Sequence, residues 1–332
     1  MGVAHKCLFG VVVIIALLVS WQVIGLGRRV EALANQTVPP GEVREALDSR
    51  LLERVSLKTG QPNLWIHLGT RKFLPHSAGT QFPVAAFDTT KIDEIPAIEQ
   101  LCAYSVMYHN SRDFNVIMVS DDDLPRLLPG WSVNLEAVPE AARALVRKIA
   151  MLRVVYYYGG MLVPSTFAAT APFSQVLSTP SKLPGDVILA FDAPATGVDQ
   201  GGMFAPSAQF LYSTALNPTV QALVDRLSVK TGTEAQTSAF HDLISEDMSQ
   251  LEKEGKVRAL PGGLVGTRDA DGKAVSLAES IEGFTRDSKS VGVWIPERVF
   301  EIRKYGWLMK ETPSKILAGS TWLAAQVRKG AV

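Results

Sequence analysis

Residues 139–173, PEAARALVRKIAMLRVVYYYGGMLVPSTFAATAPF, constrain the fold of this chain more than any other stretch. Ala142, Leu145, Val146, Ile149, Leu152 and Tyr156 recur at three- and four-residue spacing, which predicts one amphipathic helix. Pro139 suits its first turn, where a missing N–H costs nothing. Gly159 and Gly160 end it, because glycine reaches left-handed backbone without strain. Met161-Leu162-Val163 follows as a short buried strand and stops at Pro164. In open α/β sheets ligands bind outside the carboxyl ends of strands. Ser165 and Thr166 are therefore expected to face a cleft.

The flanking sequence extends this αβ unit in both directions. Asn63-Leu64-Trp65-Ile66-His67-Leu68-Gly69 reads as a buried first strand, and residues 95–109 as a helix with Ile95, Ile98, Leu101, Cys102 and Val106 on one stripe. Asn115–Ser120 is the next strand and runs into Asp121-Asp122-Asp123, the densest acidic cluster in the chain. Strand, helix, strand, helix, strand over residues 62–206 predicts a mostly parallel sheet with flanking helices, since parallel neighbours need crossovers. Asp186–Phe191 reads as a further strand, and residues 217–230 and 235–252 as surface helices. A single helix is expected over 312–328, opened by Thr312-Pro313 and burying Ile316, Leu317, Trp322 and Leu323. Asp269-Ala270-Asp271-Gly272 reads as a hairpin turn rather than an ion loop.

Residues 7–26, CLFGVVVIIALLVSWQVIGL, carry no charge and are long enough to cross a hydrocarbon core of roughly 30 Å. They are read as an uncleaved transmembrane anchor after a short tail (1–6), followed by a stem or linker (27–61) and a folded domain (62–330). Lys6 before the span and Arg28 and Arg29 after it do not decide its orientation. Lysine plus arginine (33) balances aspartate plus glutamate (33), so nothing points to nucleic acid as a partner. Cys7 and Cys102 are read as two unpaired thiols.

Val155-Tyr156-Tyr157-Tyr158-Gly159-Gly160 running into Met161-Leu162-Val163 resembles the glycosyltransferases that carry a DXD sugar-binding motif, of the yeast mannosyltransferase and capsular polysaccharide type. The resemblance covers residues 62–206 and implies a nucleotide-diphospho-sugar transferase (GT-A) fold. It also departs from the family where chemistry is expected. Pro164 and Thr166 stand in the places of the two aspartates, and Lys148 and Met151 in the places of a helical Asp and Arg. No metal is therefore expected at Pro164 and Thr166. Mn2+ or Mg2+ held by Asp121 and Asp122 is the remaining metal option.

The resemblance further implies candidate donor contacts. Trp65 is either the aromatic face on which the base stacks or a core side chain. Asp121 either contacts ribose or metal or caps a turn, and Asp123 is read as a cap or solvated. Asp199 and Gln200 fall in a segment that resembles the one lining the donor sugar, and Ser165, Thr166 and Asp122 join them as candidates from the strand ends. Without the aspartate pair another source of positive charge is needed for the leaving diphosphate: Arg153, on the helical face of Ile149 and Tyr156, is the first candidate, with Arg147 and Arg71 behind it. Two functions from different classes follow. One is a membrane-anchored transferase moving a hexose from a nucleotide sugar to a glycan or protein acceptor, with its C-terminal domain in a Golgi- or ER-like lumen or outside the cell. The other is an inactive relative, kept as a membrane-anchored scaffold or assembly subunit that binds protein partners.

Overall fold

Strand β1 (Asn63–His67) lies between two parallel neighbours, and the chain leaves and re-enters it by helices on opposite faces. The computed structural model describes residues 57–58, 60–69, 95–177, 184–194, 204–234 and 240–331. Residues 7–26, Arg71, Asp199 and Gln200 lie outside these. In order come α1 (Ala97–Asn110), β2 (Asn115–Val119), α2 (Leu124–Leu127), α3 (Glu140–Tyr158), β3 (Gly160–Val163) and β4 (Phe167–Ala169). Then follow β5 (Ile188–Pro194), β6 (Phe204–Ser213), α4 (Pro218–Glu234), α5 (Phe240–Lys253) and β7 (Val257–Leu260). The chain closes with α6 (Glu279–Glu282), β8 (Gly292–Trp294), α7 (Pro313–Ala318) and α8 (Trp322–Ala331).

The main sheet has the order β2-β1-β3-β6-β5-β7, and β4 and β8 form a separate antiparallel pair. β6 is antiparallel to both its neighbours, while β5 runs parallel to β7, so only β6 opposes the common direction. This is a mixed α/β fold with a mostly parallel central sheet and flanking helices. β6 was not anticipated as a strand, and it makes the sheet mixed rather than purely parallel.

Period-two alternation sorts the strands between two cores. Leu64, Ile66, Met161 and Val163 face α1 through Ala103 and Val106. Trp65, Ile117, Val119 and Leu162 face α3 through Val146, Ile149, Ala150 and Val154. α3 is buried on most of its circumference, because α4 and the 124–138 segment pack on its outer side with Val220, Leu223, Leu124 and Leu135. A third cluster sets α1 (Ile98, Leu101) against the C-terminal helices through Ile316, Leu323 and Val327. At about 1.5–3 kcal/mol per buried aliphatic side chain, these three clusters dominate stability.

The glycine pair between α3 and β3 does more than stop a helix. Gly159 (φ 63) and Gly160 (φ 105) both hold left-handed backbone. A Cβ on Gly160 would collide with the Asn63 carbonyl of β1, and one on Gly159 would lie 2.7 Å from the Ala215 nitrogen. Strand β3 thus enters the sheet directly beside β1 because the entry carries no side chains.

The expected 312–328 helix is two helices. Thr312 caps α7, its hydroxyl accepting from the Lys315 N–H at 3.4 Å, and Pro313 opens it. Gly319, at φ −64 and ψ 153, turns out of the helical region, and α8 restarts at Trp322. The Asp269–Gly272 turn is a hairpin: Arg268 bridges Ala274, and Asp269 Oδ1 accepts from the Asp271 and Lys273 N–H groups.

Candidate functional site

β1, β2 and β3 end at the same sheet edge. The path from β1 through α1 reaches β2 on one face; the path from β2 through α3 returns over the other face to β3. The connections therefore diverge between β1 and β3, the switch point at which open α/β sheets take ligands.

A charged cluster sits at this edge. The Leu68 N–H donates to the Val119 carbonyl at 2.8 Å and the Asp121 N–H to the Gly69 carbonyl at 2.7 Å, carrying the β1–β2 ladder one step past the strands. Asp121 is thereby held at the edge with 9% of its surface exposed. Arg147, from α3, donates to its carboxylate through Nη2 (2.7 Å) and Nε (3.0 and 3.1 Å). His67, on the α3-facing side of β1 two residues beyond Trp65, places Nε2 3.0 Å from Oδ1. Burial alone would raise the carboxyl pKa. The His67 and Arg147 hydrogen bonds, with the charges behind them, more than offset that and hold it below the usual carboxylate value.

The remaining acidic residues behave differently. Asp122 is exposed. Asp123 Oδ2 accepts from the Ser120 N–H at 2.8 Å and hydroxyl at 2.6 Å, closing a capping box on the turn after β2. Ser120, not an aspartate, is the N-cap of this turn, and Asp123 reaches back to it from the third position instead of capping or standing solvated.

The strand tip Val163-Pro164-Ser165-Thr166 is drawn inward. Ser165 is 9% and Thr166 1% exposed, so neither presents an open polar surface. The Ile295 N–H donates to the Thr166 carbonyl at 3.2 Å, bringing the segment after β8 alongside. The Thr166 hydroxyl has no hydrogen-bond partner among the described residues. Buried hydroxyls are seldom left so.

Lys148 follows Arg147 on α3, about 100° further round the helix. It has no hydrogen bond or ion pair among the described residues. Protein surrounds its side chain while a path to solvent stays open, and that desolvation lowers its pKa to about 8. Glu297 opposes the shift through its charge. Glu297 stands two residues past Ile295, whose N–H bonds the Thr166 carbonyl, so the acid whose charge acts on Lys148 belongs to the segment alongside the β3 tip.

Two sequence candidates fall outside this cluster. Trp65 is fully buried, donates its indole N–H to the Gly159 carbonyl at 2.7 Å and leans on Tyr158 with ring centroids 5.9 Å apart. No face of it is open for a base to stack on, and it serves as a core residue beneath the edge. Arg153 is 3% exposed, with its guanidinium 5.9 Å from the Tyr157 ring centroid. Six residues after Arg147, it lies roughly 9 Å further from the edge and about 240° round the helix. It does not join the Asp121 cluster.

The residues present do not suit a hard divalent ion. Pro164 offers no side-chain oxygen, and both Asp121 oxygens accept from Arg147. Among the described residues no group of three or more His, Cys, Asp or Glu side chains could hold a metal. Asp121, His67 and Arg147 converge although 54 and 26 residues separate them in sequence. Sequence reasoning ranked Arg147 behind Arg153 and gave Lys148 no role. The signal that could have found them was their shared position at the N-terminal half of α3, the half that reaches the edge.

No protein-family model matches the chain, and no curated protein matches it. Among solved structures, a PaToxG glycosyltransferase aligns over 70% of this chain and 80% of its own, at 11% identity and a TM-score of 0.35.

Proposed function

We propose that the folded unit binds a nucleotide sugar at the β1–β3 edge and transfers its hexose to a hydroxyl of a glycan or protein acceptor. The observation that carries this reading is the Arg147–Asp121–His67 cluster at the switch point, on a scaffold whose α3–Gly159–Gly160–β3 unit resembles the DXD glycosyltransferases. The reaction breaks the bond between the anomeric carbon and the donor diphosphate and makes one to the acceptor oxygen. The diphosphate leaves with the electron pair, and the acceptor proton passes to it or to water. Protein cations stabilise the charge that develops on the leaving group.

Calorimetry with uridine and guanosine diphosphate sugars, with and without manganese, tests the reading. The expected result is binding that changes little when manganese is added. Binding that requires manganese and is lost in Asp121→Ala would return the metal to this site. No binding to any nucleotide sugar would favour the scaffold reading, in which the fold persists without chemistry.

Residues 7–26 are proposed to anchor this unit to a membrane, with residues 27–61 as stem. No helix among the described residues is long and apolar enough to cross one. Carbonate extraction checks the proposal: full-length protein retained in the pellet supports the anchor, and release to the supernatant removes it.

A further inference from the structure

Cations of two kinds meet at the β1–β3 edge. Arg147 spends Nε and Nη2 on Asp121, and no partner for its Nη1 stands among the described residues. Lys148, the next residue on α3, has no hydrogen bond or ion pair among them, and it is only partly exposed. Holding an ammonium in such a place without a partner costs free energy. A third group with unused capacity lies at the tip of β3: the Thr166 hydroxyl, 1% exposed and unpartnered among the described residues. Asp121 offsets part of the Arg147 charge, but no acid among the described residues forms an ion pair with Lys148. Asp121 is committed to Arg147 and His67, Asp123 to Ser120, and Glu297 reaches Lys148 only through space.

We propose that Arg147 and Lys148 together form a diphosphate-binding site that works without a divalent cation, Lys148 supplying the charge that a metal would otherwise bring. Asp121 orients the Arg147 fork and leaves Nη1 to the ligand, as a carboxylate partner fixes a guanidinium for bidentate work. Lys148 then contributes a point charge from the next position on the helix. The two cations face a phosphate group more strongly than they would in water, because protein displaces solvent around Lys148.

This inference rests on the nucleotide-sugar reading for its biological ligand, but its test does not. Inorganic pyrophosphate is titrated by calorimetry into the full chain in buffer containing EDTA. We expect binding that survives EDTA, weakens about tenfold or more in Lys148→Met, and stays within about threefold in Lys148→Arg. Because Lys148 makes no hydrogen bond among the described residues, Lys148→Met is expected to fold, and thermal melting of each variant verifies it. Pyrophosphate binding that needs Mg2+, is absent in the wild type, or is unchanged in Lys148→Met overturns the proposal. Titration with nucleotide sugars separates the two ideas. Pyrophosphate binding through Lys148 without nucleotide-sugar binding keeps the site and removes the transferase reading. Nucleotide-sugar binding that ignores Lys148→Met keeps the transferase reading and removes the site.

Discussion

Two cationic regions of this protein show opposite uses of charge. Arg286, in the C-terminal part, donates Nη1 to Gln326 (2.9 Å), Nη2 to the Thr170 hydroxyl (2.6 Å) and the Ser290 carbonyl (2.9 Å), and Nε to the Ser290 hydroxyl (3.3 Å). It ties β4's outgoing chain to α8 and the turn before β8, and burial lowers its pKa while its acceptors use every nitrogen. Arg147 and Lys148, in the half of α3 that reaches the carboxyl edge, keep donors to spare among the described residues. A guanidinium whose nitrogens are all used by the fold is a clip. On the reading proposed above, cations left with unused donors at this edge are held for a ligand that the fold does not itself supply.

Arg286→Met probes the clip and is expected to have the largest effect on stability. It removes several charge-assisted bonds and strands the Thr170 hydroxyl and the Gln326 carbonyl oxygen. Because Arg286 is only partly buried, the expected loss is about 2–3 kcal/mol, a melting point lower by several degrees. Pyrophosphate affinity should not change. A fall in anion affinity without unfolding would break the contrast between the two regions.

Arg147→Met should move both quantities. It leaves Asp121 buried with His67 as its remaining side-chain partner among the described residues, for a loss of about 2 kcal/mol, and it removes one of the two proposed phosphate donors. Adding Asp121→Asn to it sharpens the comparison. Neutralising the abandoned carboxylate should recover much of the stability but none of the anion affinity, a non-additivity that a double-mutant cycle reads directly. Equal recovery of both would mean that Arg147 acts only through Asp121.

Stability should also record the Asp121 contacts as acid sensitivity. A carboxyl held below its unfolded value contributes stability above that value, about 3.9, and loses it as pH falls through the lower folded value. Asp121→Asn should therefore flatten the decline of melting temperature between roughly pH 4 and pH 2. A decline as steep as the wild type's would show that other carboxylates carry it.

How much of this was readable in sequence differed by element for physical reasons. The α3–glycine–β3 unit was legible because helix period, paired glycines and a β-apolar run are all local signals. β6 was not, because FAPSAQFLYS breaks alternation and contains Pro206. That proline sits where the β5 pairing shifts register between Ala190 and Asp192, the irregularity at which a sheet tolerates proline. The break between α7 and α8 was hidden by apolar residues that keep helical spacing across Gly319 and Ser320. Asp121 was singled out, but its partners were not: Arg147 and His67 reach it from separate elements, and only the crossing of α3 over β1 and β2 sets that meeting. Trp65 looked ambiguous because stacking and core packing require the same residue type, and its bond to Gly159 lies 94 residues away in sequence.

The smallest expected effect is a pH dependence of anion affinity, and it isolates Lys148 from Arg147. A guanidinium, unlike an ammonium, carries a charge that this pH range does not remove. Lysine ordinarily titrates near 10.5, but desolvation, only partly opposed by Glu297, brings Lys148 to about 8. Pyrophosphate affinity in EDTA should then fall as pH rises from about 7 to 9, by about the factor lost in Lys148→Met, since deprotonation removes the same charge. Anion binding raises the pKa in turn, so the midpoint in the complex should lie above 8. The sign on stability is the reverse. A lysine whose folded pKa is lowered is a burden while protonated, so the free protein should gain stability as pH rises from about 8 toward 10.5. Lys148→Met should abolish both trends at once, and Lys148→Arg should remove the affinity trend while keeping the affinity. An affinity that falls equally between pH 7 and 9 in Lys148→Arg would assign the titration to another group and leave Arg147 alone at this edge.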